Sequence, residues 1–326
     1  MLKKIALIIM GLLALYSVWI RFFNEDKYIP KLGKINIMIP WMNSPEHAFL
    51  YYGEKAYRLN IRDSRGSHQV AEAFRKGDVN FGFISADTLI MARQTGIQLK
   101  ALFVIYPETP TVIVSLKESN ITSLKQLKGK SVGVIKTSVT YPQFQRVLSL
   151  GGLESNDIKE INARYGGVAQ LKNKEFDALI QYEHFAPIQL SVKGIETNYI
   201  PLKKYLHTYS TVFAASDKIL RENPKLVEEV VNILLNNLEK TMKDPLAAIK
   251  KMKDKVGTEI GSDEYIEKGL YVALKMINEN ENRFGCMSKS KWAETEDQLM
   301  KTKQINKTIP LNNYYEDSFI SSRCFK

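Results

Sequence analysis

The feature that most limits what this chain can fold into is a regular alternation of short strand-like runs and longer helix-like segments. Between residues 34 and 105, strand-like runs cover residues 34–40, 79–84 and 99–105, and helix-like segments cover residues 68–76 and 87–95. Strands that alternate with helices of this length form parallel sheets with right-handed crossovers. The pattern therefore predicts an α/β unit with helices packed on its sheet.

The same alternation then starts again, which indicates a second α/β unit. Its strand-like and helix-like segments are 111–116, 123–127, 131–135, 142–150, 159–161, 168–174 and 177–181. A further strand-like run at 210–215 indicates that the chain returns to the first unit. The remainder is mainly helical and starts with Asn223 as a cap and Pro224 in the first turn.

We therefore predict an α/β fold of two lobes, with a cleft between two sheets and helices at the C-terminal end. The predicted first lobe comprises residues 34–115 and 206–326, and the second lobe comprises residues 116–205. The chain is expected to cross between the lobes near residues 111–120 and 201–215. Ligands of open α/β sheets bind beyond the carboxyl ends of the strands, so the cleft is the predicted binding site.

The N-terminal residues are predicted to direct export. Lys3 and Lys4 precede an uncharged apolar run over residues 5–20, which is the layout of an export signal. Residues 1–23 are either a signal peptide that is removed or an anchor that stays in the inner membrane, and residues 24–33 would be a tether. We favour the anchor, because no small-residue cleavage site is evident near the end of the run. The two lysines would stay inside, which places the body in the periplasm or another extracytoplasmic space.

Charge and cysteine usage argue against several other functions. The chain has 46 basic and 35 acidic residues and a net charge of +11, but its basic residues are interspersed with acidic ones. A nucleic-acid partner is therefore not expected. Cys286 and Cys324 either form one disulfide, as is usual in an exported protein, or remain two buried thiols. No metal-ligand spacing occurs, so we predict no metal site and no cofactor.

Several segments are similar to one known group of proteins. The motif at 41–47 (WMNSPEH) places a His six residues after a Trp, and further similar segments lie at 73–87, 123–134, 176–190 and 216–224. Over almost the whole exported part, the chain resembles the periplasmic solute-binding proteins related to the binders of thiamine pyrimidine precursors. That superfamily also includes nitrate, sulfonate and taurine binders. The order of residues after Trp41 departs from the usual pattern of the pyrimidine-binding branch.

The resemblance implies a type II periplasmic binding protein with no catalytic residues. Such a protein is a monomer that captures a small heteroaromatic ligand, for example a thiamine pyrimidine precursor, and delivers it to the permease of an ABC importer. The sequence contains no nucleophile motif, which agrees with a protein that is not an enzyme. Two alternatives remain: a membrane-tethered ligand sensor, and a binder of sulfonate, taurine or nitrate. An anion binder needs Arg or Lys at the cleft, where Lys136 is the only evident cation.

The candidate ligand-binding residues follow the ends of predicted strands. Trp41 is expected to stack on a ring, Asn43 to pair with the edge of an aminopyrimidine, and Glu183 to accept from an exocyclic amine. The full predicted set is Trp41, Asn43, His47, Ser85, Asp87, Thr137, Ser138, Tyr141, Tyr182 and Glu183. Structural roles are the alternatives: Trp41 in the core, Ser85 or Asp87 as a helix cap, and Glu183 on the surface.

Overall fold

The computed structural model describes residues 34–257, 260–279 and 284–324. The predicted signal or anchor segment, 1–23, and the predicted tether, 24–33, lie outside the described residues. Within the described ranges, no helix is long and apolar enough to cross a membrane.

The contacts divide the chain into Met1–Ile35 and a compact unit, Asn36–Lys326. Two five-stranded sheets organise the described residues, in agreement with the predicted α/β class. The first sheet has the order β2-β1-β3-β10-β4 and consists of β1 (Ile35–Met38), β2 (Leu59–Arg62), β3 (Phe81–Ser85), β4 (Leu99–Val104) and β10 (Thr211–Ser216). Its centre is apolar, because the ring of Phe213 packs against those of Phe83 and Phe103 with centroids 4.9 and 5.0 Å away.

The second sheet forms the core of the other lobe. It has the order β7-β6-β8-β5-β9 and consists of β5 (Thr111–Leu116), β6 (Ser131–Val134), β7 (Lys159–Asn162), β8 (Ala178–Tyr182) and β9 (Thr197–Pro201). Phe144 and Val147 pack against one face of this sheet, and Phe176 and Leu190 belong to the apolar cluster on the other. Each lobe therefore has its own core.

Each sheet contains one strand that runs against its neighbours, which the predicted parallel sheets did not include. β5 pairs antiparallel with β8 and β9, and β10 pairs antiparallel with β3 and β4. These are the two strands that carry the chain into a lobe from the other lobe. Such a strand starts at the cleft and runs away from it. The parallel strands β6 and β8 run in the opposite direction and end at the cleft.

The helices cover the sheets and fill the C-terminal part of the chain. Their bounds are α1 (Ser67–Lys76), α2 (Ala86–Gln94), α3 (Thr140–Leu150), α4 (Val168–Lys172), α5 (Ala186–Ser191), α6 (Asp217–Glu222), α7 (Pro224–Lys243), α8 (Pro245–Val256), α9 (Asp263–Ile277), α10 (Lys289–Lys301) and α11 (Ser321–Cys324). The predicted start of α7 is confirmed, because the Asn223 side chain accepts from the Leu226 amide at 3.1 Å. Asp244 caps α8 in the same way, through the Ala247 amide.

The two crossings between the lobes lie side by side and are hydrogen-bonded to each other. The Ile105 amide donates to the Thr211 carbonyl at 2.8 Å, and the Ser210 amide donates to the Tyr106 carbonyl at 3.1 Å. The first crossing thus precedes β5, whereas the predicted boundary at residue 115 assigned most of β5 to the first lobe. That prediction is corrected by the strand pairing, because β5 lies between β8 and β9 of the second sheet.

The C-terminal segment protects the exposed edge of the first sheet. β4 is an edge strand, and its Ala101 amide donates to the Tyr314 carbonyl at 2.9 Å. The Val104 amide donates to the Gly285 carbonyl at 3.0 Å. A disulfide joins Cys286 to Cys324 and so ties the two covering segments together. Covered edges do not pair with other chains.

We expect the disulfide to contribute substantially to stability. Replacing both Cys286 and Cys324 with serine should lower the free energy of unfolding by about 3–4 kcal/mol, because the unfolded chain is no longer closed into a loop. The cysteines are 38 positions apart, which is long enough for a large entropic effect. Denaturant unfolding of the double variant and the oxidised wild type measures the difference, with reduced wild type as the control. Equal unfolding midpoints for all three would contradict the expectation.

Candidate functional site

A cavity of about 60 Å³ lies between the two lobes, beside the crossings. Its walls come from the segment after β1, from the first crossing, and from the segments after β6 and β8. The lining residues are Pro40, Trp41, Ser44, Glu46, His47, Phe49, Phe83, Ile105, Tyr106, Ile135, Ser138, Val139, Thr140, Gln181, Tyr182, His184, Phe185 and Thr211. The cavity thus lies where strand ends of both sheets meet.

A short 3-10 helix after β1, Pro45–Leu50, positions the residues of the first lobe. Ser44 precedes it in extended conformation, and the Ser44 amide donates to Nδ1 of His47 at 3.2 Å. Because Nδ1 accepts this bond, the proton of a neutral His47 is on Nε2, which lies 3.6 Å from Oε1 of Glu46. The local turn therefore fixes both the direction and the tautomer of His47.

Glu46 is the centre of the polar groups in the cavity. Its Oε2 accepts from the Tyr106 hydroxyl at 2.5 Å and lies 2.8 Å from Nε2 of His184. Tyr106 belongs to the first crossing and His184 follows β8, so one carboxylate joins the first lobe, the crossing and the second lobe. Nδ1 of His184 is buried and has no hydrogen-bond partner among the described residues.

The environment keeps Glu46 ionised. Burial by itself raises the pKa of this carboxyl, but the charge and hydrogen bond of His184, followed by His47 and Tyr106, outweigh it and hold the pKa well below its usual range. Burial lowers the pKa of His47, so this imidazole is neutral at pH 7. Burial and the charge of Glu46 raise the pKa of Tyr106 and Tyr182, and both phenols remain donors.

Aromatic rings form much of the cavity wall. Tyr106 and His184 are stacked with centroids 5.9 Å apart, and Tyr182 lies 5.4 Å from His184 at an interplanar angle of 47°. Trp41 is half-buried on the side of the first lobe. Flat apolar walls with a few convergent polar groups are typical of sites for small organic ligands.

Four of the predicted site residues are brought together at the cavity: Trp41, His47, Ser138 and Tyr182. Asn43 is close by in the chain, but it accepts from the Tyr51 hydroxyl at 2.6 Å and donates to Asp63 at 3.1 Å. It therefore supports the turn and does not line the cavity.

The other predicted residues make their contacts elsewhere. Ser85 caps α2 by accepting from the Thr88 amide, and Asp87 is paired with Arg146 at 2.7 Å. Tyr141 donates to Glu160 at 3.1 Å. Neither Thr137, which is exposed, nor Glu183 is among the residues that line the cavity.

Among the lining residues outside the predicted set, the titratable ones are Glu46, Tyr106 and His184. Glu46 lies within the quoted motif at 41–47, directly before His47, so its position was a usable signal. Tyr106 follows a strand, but its segment was assigned to the inside of the first lobe and not to a crossing. His184 is adjacent to the selected Glu183 in the turn after β8, and of these two only His184 lines the cavity.

No Lys or Arg is among the described residues that line the cavity. Lys136, the cation considered for an anion site, pairs instead with Glu160 at 3.1 Å and lies 5.7 Å from the centroid of the Tyr141 ring. In the described part of the chain, no group of three His, Cys, Asp or Glu residues is placed to hold a metal ion. The arrangement presents a carboxylate, imidazoles and phenols to whatever the cavity binds.

The two lobes, the paired crossings and the cavity between the sheets define a protein of the periplasmic-binding-protein fold. Within it, the chain belongs to the NMT1/THI5-like family, whose sequence profile matches residues 50–248. The resemblance noted in the sequence is therefore confirmed at the level of family and fold. Trp41, Glu46 and His47 precede the matched segment, so the family match does not include that side of the cavity.

Similar proteins are distant in sequence. The riboflavin-binding protein RibY of Chloroflexus aurantiacus is 22% identical over 178 residues, which cover 54% of this chain and 51% of that protein. The 4-amino-5-hydroxymethyl-2-methylpyrimidine phosphate synthase of Legionella pneumophila is 21% identical over 207 residues, covering 60% and 65%. The chain thus matches less than two thirds of the length of either relative.

Among solved structures, the periplasmic aliphatic sulphonate binding protein SsuA of Escherichia coli has a TM-score of 0.66 at 15% identity, with 87% of this chain and 92% of that chain covered. At this identity the similarity shows the fold. The similar proteins named by function are mostly binding proteins, and one relative is named as a synthase.

The depressed pKa of Glu46 predicts a loss of stability in acid. Folding lowers this pKa below the ordinary value of 4.5, so the ionised carboxylate stabilises the protein fully above that value, and this stabilisation is lost progressively as the pH falls from 4.5 toward the lowered pKa. Glu46→Gln should therefore lose less free energy of unfolding than wild type between about pH 6 and pH 3. Denaturant unfolding at a series of pH values measures both slopes. Glu222→Gln, at an exposed position, is the matched control and should follow wild type. Parallel curves for Glu46→Gln and wild type would show that the carboxylate is not the titrating group.

Proposed function

We propose that this protein is the extracytoplasmic binding component of an ABC importer and that it captures a small heteroaromatic ligand between its lobes. The observation that supports this most directly is the composition of the cavity wall. It combines aromatic rings with one ionised carboxylate, and its described residues include no Lys or Arg. Trp41, His47, Ser138 and Tyr182 are the proposed contacts from the predicted set, with Glu46, Tyr106 and His184 added to them.

Each chemical group of the wall suits a nitrogen heterocycle. The rings of Trp41 and Tyr182 offer faces for stacking. Glu46 is an acceptor for N–H groups, a role that the sequence analysis gave to Glu183. The two relatives are named for riboflavin and for an aminopyrimidine phosphate, and both compounds contain a pyrimidine ring. This likeness supports a ring ligand, for example a thiamine pyrimidine precursor.

The structural similarity to a sulphonate binder makes an anion the second candidate. Anion sites use Arg, Lys or helix N-termini as donors. The wall instead presents the carboxylate of Glu46, which is offset only by His184 and His47, and its described residues supply no Lys or Arg as an anion donor. The wall therefore favours a ligand that is neutral or cationic at the ring.

Capture of a ring requires the lobes to move. The walls of the cavity come from both lobes, so a ring enters when the lobes part and is enclosed when they close. The proposed cycle is capture between parted lobes, closure around the ligand, and docking of the closed form on a permease. No chemical step is needed, so we propose a monomeric carrier that is not an enzyme. A membrane-tethered sensor would use the same cycle without the permease.

A ligand panel tests the proposed class. Purified protein is heated with 4-amino-5-hydroxymethyl-2-methylpyrimidine, riboflavin, taurine or nitrate, and the unfolding midpoint is recorded. A ligand at 100 times its Kd stabilises the native state by about 2.7 kcal/mol, which shifts the midpoint clearly. We expect a shift with one of the two ring compounds and none with taurine or nitrate. A response to taurine or nitrate alone would refute the heteroaromatic assignment.

Trp41→Ala tests the stacking contact. We expect the affinity for the responding ring compound to fall about tenfold or more, because stacking contributes about 0.5–1.5 kcal/mol beyond the buried area. Calorimetric titration measures this, and circular dichroism verifies the fold. Tyr271→Ala removes an aromatic ring that is 47% exposed on α9 and should leave the affinity unchanged. Unchanged affinity in Trp41→Ala would place Trp41 outside the binding site.

A further inference from the structure

One segment of the second lobe, residues 137–146, contacts the first lobe along one side of the cleft. Gly66 lies so close to it that a side chain at this position would meet the Thr137 carbonyl oxygen at 2.2 Å. Gln304, just after α10, donates to the Pro142 carbonyl at 3.0 Å. We name this set of contacts, together with the pair formed by residues 87 and 146, the lobe seam.

An ion pair lies within the lobe seam. Nη2 of Arg146 donates to Oδ2 of Asp87 at 2.7 Å, and the two side chains are 0% and 3% exposed. Nε of Arg146 and Oδ1 of Asp87 have no hydrogen-bond partner among the described residues. Asp87 belongs to α2 of the first lobe and Arg146 to α3 of the second, so contact between the lobes buries both charges.

We propose that the Asp87–Arg146 pair sets how far the two lobes stay closed, which makes Arg146 a positioning residue for ligand binding. While both charges are present, their attraction in a region of low dielectric favours the closed arrangement. If Arg146 loses its charge, Asp87 is buried without a partner, which is strongly unfavourable. Parting of the lobes hydrates that carboxylate, so the loss of one partner drives opening.

The Asp87–Arg146 pair affects ligand affinity by changing the fraction of molecules whose lobes are closed, and not by touching the ligand. Neither Asp87 nor Arg146 lines the cavity. Only the closed form encloses a ligand, and the apparent Kd equals the intrinsic Kd divided by the closed fraction. This consequence rests on the proposed function, whereas the effect on lobe separation does not.

The first lobe contains a matched ion pair, which distinguishes an effect on lobe separation from a general effect on stability. Arg93 on α2 lies 2.6 Å from Asp217 on α6, and the two side chains are 7% and 12% exposed. Arg93→Met therefore breaks a buried ion pair of similar geometry within one lobe. It should lower stability and leave the separation of the lobes unchanged.

The experiment measures lobe separation in the full-length protein without added ligand. Spin labels are attached at exposed positions through Lys125→Cys in the second lobe and Lys225→Cys in the first, and pulsed electron resonance gives their distance distribution. We expect Arg146→Met to shift the distribution to longer distances. Arg146→Lys, which keeps the charge, should restore much of the short-distance population, and Arg93→Met should match wild type.

Affinity is measured with 4-amino-5-hydroxymethyl-2-methylpyrimidine as the probe. We expect Kd to rise about tenfold or more in Arg146→Met, in proportion to the lost closed fraction, and to stay unchanged in Arg93→Met. If the distances of Arg146→Met equal those of wild type while its stability falls as in Arg93→Met, the proposal is overturned. If the distances lengthen but wild type binds neither this probe nor riboflavin, the ion pair keeps its role and the assigned ligand class is wrong.

Discussion

A carboxylate can remain ionised inside a protein only if donors surround it. The donors around Glu46 come from separate parts of the chain, which therefore meet at this carboxylate. The acid itself comes from the first lobe, Tyr106 comes from the crossing, and His184 comes from the second lobe. Their short contacts hold only when the lobes face each other. The polar centre of the cavity therefore forms when the lobes close. The contacts with Glu46 also hold the rings of Tyr106 and His184 in their stacked arrangement.

Much of the fold could be predicted from sequence because buried strands and amphipathic helices carry strong local patterns. Two strands, β2 and β9, were not predicted. Both are short edge strands whose residues are partly exposed, so they lack the continuous apolar run of a central strand. The reversed direction of β5 and β10 was not predicted either. Strand direction depends on the lobe from which the chain arrives, and no local pattern encodes that.

The site could be predicted where the backbone alone positions a residue. Trp41 and Ser138 come shortly after β1 and β6, Tyr182 is the last residue of β8, and all three line the cavity. Asp87 also follows a strand, but it is paired with Arg146, which is 59 positions away. Long-range partners of this kind leave no trace in spacing. Glu46 was not selected although it lies directly before His47, and an acid in the first turn of a helix also interacts favourably with the helix dipole.

The net charge of the protein does not determine the charge of its ligand. The chain carries +11 overall, which by itself favours anions. Exposed lysines act through water and salt, which screen them within about 10 Å at 0.1 M ionic strength. Inside the cavity, where screening is weak, Glu46 is accompanied by the imidazoles of His184 and His47, and the described lining residues include no Lys or Arg. The proposed preference for a nitrogen heterocycle therefore depends on the groups of the cavity wall and not on the net charge of the chain.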